Sequence, residues 1–311
     1  MSLRRYVPTG RGGPFAFTAV LGAAVIGGVV TGAIEGAVDQ WFSLFVIFPL
    51  LIGLAAGGLA AWMVGRQQLR APLLAMILAA TGGAAGYVTV HTVDYLQLRS
   101  RVAAAVKEDH PAASELEIST ATDAWLVSET GHAGFRGFLE LAAREGVQVK
   151  RMSSTDNGIS FTGTAAWIVW LCELVFAAAF AGFIARVRAK APFCESCEVW
   201  YGPEQAFASG GTGGKPAQKE IMAALEAGDL DAAAGVLAAP PAPKATFAVT
   251  TTTCPRCTLD AHCILKRVTA ARNKTRVATL DSWLMAREEV ARLGEALAKR
   301  RSSAAAPARP G

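Results

Sequence analysis

The first half of the chain alternates between long uncharged apolar stretches and short polar intervals. Residues 12–34, 40–65 and 71–90 contain no Asp, Glu, Lys or Arg, and 158–185 contains only Glu173. Each stretch reaches the ~20 residues with which a helix crosses a ~30 Å hydrocarbon layer. None carries polar residues at the three-to-four spacing that would mark one wet face of a soluble helix. The pattern therefore predicts four transmembrane helices, at about 15–35, 43–64, 71–92 and 163–185. The first is read as a retained span rather than a signal peptide. It is longer than the ~7–15 apolar residues of such a peptide, and no small-x-small cleavage site precedes Glu35.

The polar intervals have their own periodicities. Residues 95–107 continue helically from the third span and stop before Asp109-His110-Pro111. Glu115 to Thr120 alternate as a strand does. Phe135, Phe138, Leu139 and Ala142 share a helix face over 135–144, closed by Gly146. Strands are expected at 147–152 and 159–161 across a turn at Asp156-Asn157-Gly158. Residues 93–162 thus form a small α+β cap, too short for a large core of its own. Beyond the fourth span, 209–216 (SGGTGGKP) reads as a flexible linker. It is not a phosphate loop: Ser209 stands at the first glycine, Pro216 takes the hydroxyl position, and no apolar strand leads in. Two short helices are expected over 217–238 about Gly228-Asp229, ended by Pro240-Pro241-Ala242-Pro243. A strand covers 246–253, a hairpin joins 263–268 to 275–280 across 271–274, a last helix covers about 282–300, and 302–311 is expected to be disordered.

Composition agrees with the spans. The 311 residues are 52% hydrophobic and 18% charged, with a mean hydropathy of +0.33, which is wrong for an ordinary soluble chain. Charge sets the orientation. Arg4, Arg5 and Arg11 precede the first span, Arg66 and Arg70 fill the turn between the second and third, and Arg186, Arg188 and Lys190 follow the fourth. The turn after the first span holds only Glu35 and Asp39. Basic residues collect on the cytoplasmic side of a membrane. Both termini are therefore assigned to the cytoplasm and 93–162 to the other side of the cytoplasmic (inner) membrane. The fold class expected is an α-helical membrane protein with a small α+β extracytoplasmic cap and a cytoplasmic α+β domain at 186–301.

That orientation bears on the six cysteines. Cys172 falls in the fourth span and five lie in the tail, where a reducing compartment disfavours structural disulfides. Cys194-Glu-Ser-Cys197 and Cys254-Pro-Arg-Cys257 are two CxxC pairs. Each places two sulfurs on one tight turn, and two such turns complete the tetrahedral ligand set of a structural zinc ion. A thioredoxin-like redox pair would open a helix after a strand, and neither pair has that setting. Cys263 reads as a buried apolar cysteine and His262 as an exposed strand residue, so neither joins the metal set. The cysteines and their flanking strands resemble the zinc-ribbon class. The 56 residues between Cys197 and Cys254 exceed the ~15–20 of compact sites, so about 204–243 is expected to be a helical insertion. Loop entropy tolerates this, because each doubling of length costs only ~0.6 kcal/mol.

Two further features carry chemistry. Glu173 lies near the middle of the fourth span without an obvious partner. An ionisable group at that depth costs at least ~2.5 kcal/mol, so it either serves transport or is a protonated carboxyl bonded to a neighbouring helix. Lys266, Arg267, Arg272, Lys274 and Arg276 cluster on the last hairpin of a tail with 18 basic and 12 acidic residues from 186 to 311. Lipid headgroups suit such a cluster as well as nucleic acid does; a solvated face is the reading adopted, and nucleic acid is not expected as a partner. Glycines recur every four positions at 28, 32 and 36, at 53 and 57, and at 82 and 86. These stripes let helices approach closely, within one chain or in a homo-oligomer. No GxSxG, HExxH or complete phosphate loop occurs, so no enzyme activity is expected. The stretch from Gly134-Phe-Arg-Gly-Phe-Leu-Glu to Trp167-Ile-Val-Trp-Leu-Cys-Glu173 resembles a pattern in uncharacterised bacterial multi-pass membrane proteins, a group that implies no activity. The expected role is docking: helices fix the location, and the tail offers a surface to a cytoplasmic protein partner. The alternatives are a transporter or channel component using Glu173, and a membrane-tethered thiol redox protein.

Overall fold

The structure is a computed structural model and describes residues 4–38, 47–149, 159–241, 245–271 and 274–305. It divides into two compact units, one of residues 9–190 and one of 1–8 with 191–311.

In the first unit, helices α1 (Ala16–Val38), α2 (Ile47–Arg66), α3 (Pro72–Asp109) and α6 (Thr164–Ala189) are each long and apolar enough to cross a membrane, with mean hydropathies of 1.7 to 2.2 over their most apolar windows. They coincide with the four expected spans, although the expected start of the second, at 43, lies outside the described residues. Their packing is small-in, large-out. Ala24, Ala56, Ala60, Ala79, Ala181 and Ala185 are fully buried, while Ile26, Val30, Leu54, Trp62, Leu171 and Phe183 are exposed. A water-soluble bundle has the opposite arrangement. Between lipid-facing helices burial of apolar area drives nothing, because lipid tails are as apolar as Leu, and close backbone packing takes over. The glycine stripes supply that packing inside the chain. A Cβ on Gly28 would lie 2.0 Å from the Gly82 carbonyl oxygen, and one on Gly32 would lie 2.1 Å from that of Gly86. The faces that suggested a second copy are thus occupied by neighbouring helices of the same chain.

At 38 residues, α3 is ~57 Å long, so it outruns a ~30 Å hydrocarbon layer as 95–107 indicated. Helices α4 (Glu115–Thr130) and α5 (Gly134–Glu145) and a two-stranded sheet, β1 (Val147–Val149) with β2 (Ile159–Phe161), complete the cap. The strand expected at 115–120 is a correction: the segment opens α4. Ser114 accepts from the Glu117 amide while the Glu117 carboxylate accepts from the Ser114 amide. This capping box fixes a helix start, and Ile118, Thr122, Leu126 and Thr130 then bury one stripe at four-residue spacing. The Ser114 amide holds the Glu117 carboxyl below its usual range. Helix α5, its C-terminal Gly146 and the β1–β2 pairing lie where the sequence put them; residues 150–152 of the first expected strand and the turn at 156–158 lie outside the described residues.

The second unit is an antiparallel sheet of β5 (Gln205–Gly210), β6 (Ala245–Thr253), β7 (Asp260–Ala271) and β8 (Lys274–Ala286), in that order, with a small hairpin of β3 (Phe193–Cys194) and β4 (Val199–Trp200). Strand register puts Phe247, Val249, Cys263, Leu265, Trp283 and Met285 on one face. Helices α7 (Lys215–Ala227), α8 (Leu230–Ala238) and α9 (Arg287–Ala305) cover that face with Ile221, Leu225, Leu237, Leu293 and Leu297. Gly228 and Asp229 separate α7 from α8 as a left-handed C-cap and a side-chain N-cap.

Three expectations are corrected here. Residues 205–210 form a strand of the main sheet, which takes Ser209 and Gly210 out of the expected linker, so the insertion is not purely helical and a strand does lead into the glycine-rich turn. Glycine is required at 210 because a Cβ there would sit 2.2 Å from the Leu237 carbonyl oxygen. The last helix begins at Arg287 rather than 282, since Trp283 and Met285 alternate into the core with strand period. It also runs to Ala305, so 302–305 are helical; 306–311 lie outside the described residues. Finally, residues 4–6 border β8: the Leu284 amide donates to the Arg4 carbonyl at 2.7 Å, Arg4 pairs with Asp260 at 3.1 Å and Arg5 with Asp281 at 3.3 Å. Nothing in the sequence pattern signalled that contact.

Candidate metal centre

Cys194 ends β3, and Cys197 lies on the turn before β4. Glu198, with φ of 53°, occupies the left-handed conformation that reverses the chain after it. Cys194 and Val199 are cross-strand partners. Cys254 and Cys257 sit on the turn between β6 and β7. The Gly202 amide donates to the Thr253 carbonyl at 2.8 Å, which ties the exit of the first turn to the residue before Cys254. An Arg256 guanidinium N–H reaches the Cys197 carbonyl at 3.4 Å. Two short CxxC turns, with 56 residues between them in sequence, are thus held together by one main-chain and one side-chain hydrogen bond.

The four sulfurs all lie within 4.8 Å of one another, and no disulfide joins them. A tetrahedron with Zn–S bonds of ~2.3 Å has edges of about 3.8 Å. The Cys194 and Cys257 sulfurs are 3.7 Å apart, which fits such an edge and far exceeds the ~2.05 Å of a disulfide. Cys194 and Cys254 are buried, and Cys197 and Cys257 half-buried. The donor set therefore suits a thiophilic ion with a complete protein shell.

Burial and neighbouring amides set the acidities of Cys194, Cys197 and Cys254 apart. Burial pushes the Cys254 thiol up, but the amides of Arg256 and Cys257 outweigh it and bring the thiol down to about 7. At Cys197, desolvation and the neighbouring sulfurs push the thiol up to about 12. Cys194 is raised first by burial, and Tyr201 by burial and then by Cys194. Four thiolates cannot coexist at these distances unless a cation neutralises them. A bound divalent ion does so by deprotonating its thiol ligands outright.

The structure leaves Cys263 and His262 outside the quartet. Cys263 is buried in β7, and burial pushes its thiol up to about 12. His262 is buried as well, contrary to the exposed position expected, with Tyr6 edge-on at 5.8 Å. Its Nδ1 has no hydrogen-bond partner among the described residues. Burial lowers its affinity for a proton, so the folded unit takes up that proton less readily than the unfolded chain. The stabilising contribution is complete above the ordinary histidine value of ~6.5 and is lost as pH falls below it. Replacing His262 by Gln is expected to flatten the decline of the thermal midpoint between pH 7.5 and 5.5, relative to the wild type.

Of the basic cluster, Lys266 is paired with Glu204, which also accepts from Thr250. Burial works against it, but these donors hold the Glu204 carboxyl below its usual range. Arg267 is half-buried and Arg276 exposed; Lys274 opens β8, and Arg272 lies outside the described residues. Glu173, for which the sequence showed no obvious partner, has one on a neighbouring helix, as the second of its two readings allowed. The Tyr87 hydroxyl donates to its carboxylate at 2.8 Å from α3. Tyr87 packs edge-on against His91 at 5.1 Å, whose Nδ1 lies 3.9 Å from Asp94. The signal was a tyrosine, a histidine and an aspartate at four- and three-residue steps where the apolar stretch of α3 ends.

Comparison of the chain with protein-family models, with curated proteins and with solved structures gives no match.

Proposed function

We propose that the protein is a multi-pass membrane protein whose C-terminal unit is closed by a structural zinc ion and serves as a docking surface for a cytoplasmic protein partner. The observation that carries this reading is the sulfur quartet, with mutual distances within 4.8 Å and a 3.7 Å edge. Four protein ligands leave a zinc ion no open position, which favours a structural over a catalytic role. Tetrahedral spacing of unbridged sulfurs supports zinc over a thiol–disulfide cycle. Arg4 and Arg5 lie on β8, which supports an N-terminus on the same side as the tail, as four spans require. The arginines flanking the spans make that side the cytoplasm. The bond from Tyr87 supports a helix-pinning role for Glu173 in place of a transported charge.

Cross-linking of the full-length protein in its own membrane tests the docking role. One defined protein is expected to be trapped by cross-linkers placed on the CxxC turns, at Ser196 or Arg256, and to be lost with Cys197→Ser while the variant stays in the membrane. An identical cross-linking pattern in that variant would overturn it.

A further inference from the structure

At the end of the helical bundle that carries α4 and α5, helices α3, α5 and α6 enclose a cavity of about 210 Å³. Its walls include Tyr87 and His91 from α3, Phe135 and Leu139 from α5, and Trp167 and Trp170 from α6. The aromatic groups brace one another. Trp167 meets Trp170 edge-on at 5.2 Å, and His91 lies 5.1 Å from both Tyr87 and Trp170. The side chains that form this wall are therefore positioned before any ligand arrives. Polar atoms are withdrawn from it: the Tyr87 hydroxyl is engaged with Glu173, and His91 Nε2 is buried. An apolar cavity of about 150 Å³ already stays dry and accepts benzene. A larger one with these walls is a site for an apolar ligand.

The mouth identifies the source of that ligand. Val88 and Leu171 also line the cavity, and they are 49% and 59% exposed. Both lie on helices apolar enough to span a membrane, and their exposed neighbours Ile168 and Val175 continue the same surface. The cavity opens onto the face that hydrocarbon covers. Trp167 and Trp170 occupy the first two turns of α6, where tryptophan marks the headgroup level. A chain entering beside them has its polar end at that level and its apolar end among Val88, Leu171 and Leu174.

We propose that this cavity binds one acyl chain of a bilayer phospholipid. The proposal depends on the helices spanning a membrane and is independent of the zinc site and of docking. Extraction of membranes with alkaline carbonate reports the spanning separately. The test uses full-length protein in detergent with a phospholipid bearing a diazirine near the end of one acyl chain, followed by mapping of the labelled peptides. Labelling of the peptide containing Trp167 and Trp170 is expected to saturate with probe and to fall at least fivefold on competition with unlabelled phospholipid. Leu139→Trp, which fills the cavity, is expected to reduce it as strongly, and Leu54→Trp, on an exposed face of α2, to leave it unchanged. Labelling that rises linearly with probe, as on any lipid-facing surface, would overturn the proposal and requires no variant to fold. Preferential displacement of the probe by a prenyl alcohol would also overturn it, by assigning the site to a different lipid class.

Discussion

Purified protein is expected to carry one zinc ion per chain, and to lose it when Cys194 or Cys257 is replaced by Ser. The loss removes one of four thiolates from a site whose remaining thiols Cys197 and Cys254 differ widely in acidity, the first pushed up to about 12 and the second down to about 7. Without the ion, protons must return to most of these sulfurs. Structural zinc sites in small peptides contribute ~10–16 kcal/mol of apparent binding energy, and there the fold disappears with the metal. Here the damage is expected to be local. The sheet and helices α7–α9 bury their own apolar core around Phe247, Leu265 and Trp283, and none of those residues is a ligand. Phe193 and Trp200, packed edge-on at 5.1 Å across the first CxxC hairpin, lie outside that core. Trypsin should therefore cut after the exposed Arg256 at least tenfold faster in Cys257→Ser than in the wild type, while the core around Trp283 stays protected from hydrogen exchange. A metal-free wild type with a titratable disulfide would replace the zinc reading with the redox one.

The second large effect is expected at the α1–α3 crossing. Replacing both Gly28 and Gly32 by Ala places two methyl groups about 2 Å from the carbonyl oxygens of Gly82 and Gly86. Those are backbone atoms of a helix and cannot rotate aside, so α1 and α3 must separate along the contact. Overpacking typically costs 1–3 kcal/mol per site. In a bundle held by close approach rather than by the hydrophobic effect, the two sites are expected to act together. For a unit of this size each kcal/mol lowers the thermal midpoint by about 2–4 °C. The matched control is the double change Gly22→Ala and Gly58→Ala, where an added Cβ meets nothing within 4 Å. It is expected to leave the midpoint unchanged or slightly raised, since Ala disfavours helix less than Gly does. Equal midpoints for the two double variants in detergent would show that the glycine contact does not hold the bundle.

The two predictions fall on parts of the molecule that the sequence revealed to different degrees. The spans were legible because a helix that crosses a membrane needs only local apolar length, a property of consecutive residues. The cysteine quartet was legible because CxxC is a complete local unit: each pair announces two ligands, and parity suggests that the pairs join. The readings that failed needed information from distant residues. Ser209-Gly210 looked like linker because small residues have no strand propensity, yet β6 pairs with both and the end of α8 demands that residue 210 be glycine. Glu115 to Thr120 is the exception: the Ser114-x-x-Glu117 capping signal is local, and the apparent alternation of the residues after Ser114 masked it. His262 was placed at the surface because its neighbours in sequence are strand residues, and the residue that covers it is Tyr6.

By itself, the sequence determined that four helices can cross a membrane, that a polar tail follows them, and that four of its cysteines have the spacing of a metal site. These properties are short-range, set by side-chain chemistry within one turn or one span. Tertiary structure alone decided which glycine stripes face one another, that Tyr87 reaches Glu173, that residues 4–6 lie on β8, and that α3, α5 and α6 leave an aromatic cavity between them. Each of these joins residues tens to hundreds of positions apart. Close packing selects such pairs by shape, and shape exists only after the chain has folded.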